Sequence, residues 1–150
     1  MTALIGPFSI GLISGLRSLI TPAIVAWAVR LGWLKLERPL SLIGILPSVV
    51  ILTLLALGEL VADKLPQTPN RTAPLGLSAR IVTGAFTGAC IAAHPIKGAL
   101  LGVLGGVIGC FAGYRARARL VKNLGVRDLY GALLEDLVAI AGALLIVSKA

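Results

Sequence analysis

The stretch IKGALLGVLGGVIGCFAGY (residues 96–114) decides the fold. Its glycines fall on two lines, Gly98, Gly102 and Gly106 on one and Gly105, Gly109 and Gly113 on the other. Residues four apart share a helix face, so each line is a ridge. In a soluble helix each glycine would cost about 1 kcal/mol relative to alanine. In lipid, small residues at this spacing let helix backbones approach closely, so the ridges suit packing within the chain or between copies of it. A phosphate-binding glycine loop is the competing reading. It needs a preceding strand and a lysine-hydroxyl ending, and neither is present. The stretch reads as a membrane helix, from about Ile96 to Tyr114.

Four more hydrophobic segments flank it. The first runs from about Ala3 to Leu31. At ~1.5 Å per residue it would reach roughly 40 Å, against a hydrocarbon core of ~30 Å. It must therefore tilt, kink or break, and Gly15 and Thr21-Pro22 are the natural places. The second runs from about Leu40 to Ala62 with Pro47 inside it. A loop with Pro66, Pro69 and Pro74 follows, and its Asn70-Arg71-Thr72 fits a glycosylation sequon. The third runs from about Leu77 to Ala93 and ends at His94-Pro95. Arg115 to Arg127 forms a basic connector, and the fifth segment runs from about Leu129 to Val147. The expected fold is all-α: one integral membrane domain over residues 1–150, a polytopic bundle of about five hydrophobic segments with the first broken or kinked.

Composition agrees. The chain is 57% hydrophobic and 13% charged, where soluble domains average about 25% charged. The N-terminus has neither a basic leader nor a cleavage pattern, so it reads as a first retained helix. The net charge of +8 comes from basic residues lying mainly between the hydrophobic segments. With no stacking aromatics beside them, they suit anionic lipid headgroups and topology signalling, and nucleic acid is not an expected partner. Cys90 and Cys110 sit in apolar segments as small packing residues, and the single His94 cannot build a histidine metal site. No metal and no cofactor are expected.

Ionisable residues inside the greasy segments are the functional signal. Arg17 follows Ser14-Gly15-Leu16, Arg115 follows Ala112-Gly113-Tyr114, Glu59 and Asp63 close the second segment, and Glu135-Asp136 lie in the fifth. Such groups cost roughly 3 kcal/mol each on insertion scales, so they are paired or hydrated. If all five segments cross, the ends of the second and fourth and the start of the fifth share one face. Glu59 would lie about 5 Å and Glu135 about 10 Å from that face, with Arg17 nearer the middle. The expectation is a polar cavity floored by Arg17 and walled by carboxylates, with Arg17, Glu59, Asp63, Arg115, Glu135 and Asp136 as substrate- or ion-binding candidates. Glu135 and Asp136 diverge by ~100° on a helix, so one faces the interior more than the other. The alternative is a structural ion pair at Arg17, with Arg115 and Glu59 reaching to the headgroups.

Gly15-Leu16-Arg17 echoes Gly113-Tyr114-Arg115, and Glu59-Leu60-Val61-Ala62 echoes Asp136-Leu137-Val138-Ala139. The arginine-to-acid spacing is 42 residues in the first pair and 21 in the second, which argues against a true repeat. Basic residues number eight in the 64–80 and 115–127 connections against five elsewhere outside the segments, which favours an inside N-terminus.

Gly15-Leu16-Arg17, Glu59-Leu60, Asp63-Lys64-Leu65-Pro66, Thr68-Pro69-Asn70-Arg71 and Glu135-Asp136 together resemble an uncharacterised family of small bacterial membrane proteins, domain of unknown function number 4126. The resemblance implies a helical protein of the bacterial cytoplasmic (inner) membrane and supplies no activity. The residues suggest a transporter or channel for a small solute, in which a homo-oligomer would help enclose a path. The alternative is a lipid-binding or accessory membrane protein. A lipid-processing enzyme would need an acid motif with phosphate-binding basics at fixed spacing, and none is evident, so the protein is not expected to be an enzyme.

Overall fold

The computed structural model describes residues 2–65, 73–125 and 127–150. The Asn70-Arg71-Thr72 sequon lies outside them. The described residues are helical, without strands: α1 (Thr2–Leu16), α2 (Ile20–Arg30), a short 3-10 helix (Leu40–Gly44), α3 (Leu46–Ala62), α4 (Pro74–Ile91), α5 (Pro95–Leu124) and α6 (Asp128–Ser148). Of these, α4, α5 and α6 are long and apolar enough to cross a membrane, while α1, α2 and α3 are shorter apolar helices. This is the pattern of a membrane protein, with three such helices among the described residues where about five hydrophobic segments are expected.

The difference comes from three places where local chemistry stops or extends a helix. The first segment breaks at Arg17-Ser18-Leu19, between the two expected break points. Pro22 is tolerated because it falls in the first turn of α2, where an amide has no helical acceptor. At the far end of α2, Gly32 takes a left-handed conformation (φ +77°). The Gly32 amide donates to the Val29 carbonyl (3.2 Å) and the Trp33 amide to the Ala28 carbonyl (2.9 Å). This is the Schellman pattern that closes a helix C-terminus. The second segment also divides. Pro47 sits in the first turn of α3 rather than in mid-helix, and residues 40–44 form a separate 3-10 turn.

The fourth segment is longer than expected. Residues 115–124 continue α5, and Gly125, at φ +59°, ends it. The basic connector is therefore largely helix. At ~1.5 Å per residue α5 reaches about 45 Å, more than the ~30 Å core, so its basic turns project beyond the apolar part.

Helix α5 is the centre of the bundle, packed most extensively against α1 and α4. Both glycine ridges are consumed there. A Cβ at Gly98 would strike the Gly88 carbonyl, and one at Gly102 the Gly84 carbonyl, both on α4. Across α5, a Cβ at Gly105 would strike the Phe8 carbonyl, one at Gly109 the Leu12 carbonyl, and one at Gly113 the side chain of Leu16, all on α1. Gly106 faces the backbone of Arg80 on α4 and is faced in turn by Gly15 of α1. The ridges serve packing within the chain and are not left open for a second copy.

The radial distribution of side chains is inverted relative to a soluble protein. Leu54, Val61, Val82, Leu100, Leu137 and Leu145 are exposed, while Ser14, Arg17, Thr21, Arg80, Thr87 and Asp136 are buried. Apolar side chains facing outward suit acyl chains, and polar ones gathered inward can satisfy one another.

Candidate charged site

At one end of the bundle the end of α1, the start of α2, the end of α3, the C-terminal half of α5 and the first turns of α6 converge. Arg17 stands at their centre, 0% exposed. Its Nη1 is paired with Asp63 at the C-cap of α3, and its Nη2 with Asp136 of α6. One planar guanidinium thus joins three parts of the chain, using the fork that makes arginine suited to two carboxylates at once. Lys64 Nζ lies 2.9 Å from the other Asp136 oxygen and also donates to the Leu60 carbonyl.

Glu59 does different work. Breaking the helix at residues 17–19 frees amides at the start of α2, where no helical acceptor exists. The Ser18 amide (2.9 Å) and hydroxyl (2.6 Å) donate to Glu59 Oε1, and the Leu19 amide (2.8 Å) donates to Oε2. A carboxylate from α3 therefore caps α2 in place of a local side chain, at the positive end of that helix. It does not snorkel. Glu59→Ala should remove the cap and lower stability by about 1–2 kcal/mol. Glu59→Gln, which keeps one acceptor oxygen, should lose less. Thermal unfolding in one detergent compares the two.

Arg117 closes the network on the α5 side. Its Nε and Nη2 each approach an oxygen of Asp128 at 2.6 Å, while Nη1 lies 3.8 Å from Asp63 and 3.9 Å from Glu135. Glu135 reaches the space left by Gly113, whose absent Cβ would stand 3.3 Å from Glu135 Oε1. Five of the six carboxylates in the sequence, Glu37 being the exception, belong to this region.

The arrangement therefore brings together Arg17, Glu59, Asp63, Glu135 and Asp136 of the expected set. Arg115 does not join them: it is exposed on α5. Two residues on a helix diverge by about 200°, so when Arg117 faces the bundle Arg115 faces away. Arg117 continues the ridge Gly109, Gly113 by one further step of four, which is the sequence signal that would have chosen it over Arg115. Lys64 and Ser18 were legible only as neighbours of Asp63 and Arg17. The adjacent acids do not divide into an inward and an outward one: both side chains are about equally buried, Asp136 against Arg17 and Glu135 toward Arg117.

Two expectations need correction. Arg17 does not lie nearer the middle of the bundle than the carboxylates of α3 and α6. The chain breaks there, so Arg17 stands at the end of α1, level with the C-cap of α3 and next to the Leu16–Gly113 contact. Nor does it floor an open cavity: its terminal nitrogens are taken by carboxylates and it exposes no surface. A second buried arginine, Arg80 of α4, is 5% exposed and donates from Nη1 to the Gly76 carbonyl (3.0 Å). Further along the α1–α4 contact, Ser14 and Thr83 share a hydrogen bond of 2.6 Å.

The family model described as Domain of unknown function (DUF4126) matches residues 4–149, and the chain belongs to that family. No curated protein matches the chain, and no solved structure does.

Proposed function

We propose that this member of a family of unknown function is a multi-pass protein of a bacterial inner membrane, and that it carries a small solute across. The observation supporting this reading is the helix break at Arg17. Interrupted membrane helices, with freed amides and charges turned inward, are how transporters build polar sites inside lipid. Here the freed amides hold Glu59 and the guanidinium holds Asp63 and Asp136. In this reading the arrangement is the closed state, with the protein's own carboxylates standing where a solute would exchange. Anionic lipid headgroups contact the exposed basic turns of α5. Any assembly of copies uses surfaces other than the glycine ridges.

Flux through reconstituted vesicles tests this. The wild type should pass at least one of a panel of small anions, small cations, protons and neutral solutes. Arg17→Lys keeps the positive charge but cannot fork between two aspartates. It should retain the helical circular dichroism of the wild type and lose most of the flux. Wild-type vesicles as tight as empty ones to the whole panel would overturn the proposal.

A further inference from the structure

At the end of the bundle opposite the charged site, a cavity of about 680 Å³ opens between α1, the segment after α2, the end of α4 and the end of α6. That volume lies within the ~300–1,000 Å³ typical of small-molecule sites. Its lining divides by depth. Pro7, Leu34 and Cys90 are buried and form an apolar floor. Lys35 and Lys149 are exposed and form a cationic rim, and the lining includes no aspartate or glutamate. Among the described residues neither lysine forms an ion pair. Trp33, exposed and adjacent to Leu34 in sequence, stands at this end as tryptophans do at the boundary between headgroups and acyl chains.

An apolar floor under two unpaired ammonium groups, at headgroup level, matches a ligand with a greasy chain and an anionic head. We propose that this cavity binds one anionic lipid, its phosphate between Lys35 and Lys149 and the upper part of a chain against Leu34 and Cys90. The site is separate from the Arg17 network and stands whether or not that network carries a solute.

Native mass spectrometry of the protein in neutral detergent tests it with three probes: phosphatidylglycerol, phosphatidylcholine of the same chains, and glycerol phosphate with no chains. Each lysine near a membrane surface favours an anionic lipid by roughly fivefold, so the pair should favour phosphatidylglycerol about 25-fold. One equivalent should be retained. Lys35→Gln with Lys149→Gln should bring phosphatidylglycerol down to the level of phosphatidylcholine. Ala93→Trp, which fills the cavity and keeps both lysines, should weaken both lipids. Glycerol phosphate should not be retained. Equal retention of the two lipids by the wild type, preference unchanged in the double lysine variant, or glycerol phosphate held as tightly as lipid would each overturn the assignment.

Discussion

Arg17→Met should destabilise the protein by about 3–5 kcal/mol, the range observed when one member of a buried ion pair is removed. The methionine fills much of the same volume, so the loss is electrostatic rather than a cavity effect. Asp63 and Asp136 would each lose the guanidinium that pairs with them. That shared loss makes a second expectation. Adding Asp63→Asn or Asp136→Asn to Arg17→Met should each recover part of the stability, because each removes a carboxylate that Arg17 had neutralised. Unfolding in mixed micelles under a denaturing detergent gives the three differences. No recovery by either asparagine variant would contradict the pairing described, and an Arg17→Met protein as stable as wild type would show the guanidinium to be solvated.

Gly102→Val should be at least as damaging, for a steric reason. A Cβ at 102 meets the Gly84 carbonyl of α4, and Gly102 itself sits against Gly11 of α1. Overpacking usually costs about 1–3 kcal/mol because side chains can shift. Here the obstacle is the backbone of α4, and α5 has the backbone of α1 behind it, so relief requires moving whole helices, and the loss should reach or exceed the upper end of that range. Gly58→Ala is the control. Gly58 is exposed on α3 and a Cβ there meets nothing within 4 Å, so its replacement should be neutral or stabilising by up to about 1 kcal/mol. The yield of monodisperse protein and its thermal unfolding report the contrast. A Gly102→Val protein matching Gly58→Ala in both would mean that α5 does not lie between α1 and α4.

Much of this arrangement could be read along the chain. The ridges Gly98-Gly102-Gly106 and Gly105-Gly109-Gly113 required close partners on two sides of one helix, and α4 and α1 supply them. The charged residues in greasy segments required one another, and Arg17, Asp63 and Asp136 meet. Helix ends were less legible. Pro47 and Pro22 are compatible with a helix start as well as a kink, and local sequence does not separate the two. Residues 115–124 read as a connector because they are basic, yet a charged stretch remains helical once it projects past the apolar layer.

Hydropathy, glycine spacing and the cost of a charge in lipid follow from residue types and their intervals alone. They are enough for the helical class, the membrane habit and the need for ion pairing. Which arginine of α5 turns inward, why Glu59 caps α2 instead of meeting a cation, and that both glycine faces are spent inside one chain depend on rotation and register between helices. Those quantities arise from contacts between separate helices, as between Ser18 and Glu59 or between Gly105 and Phe8, where neighbours in sequence carry no record of them.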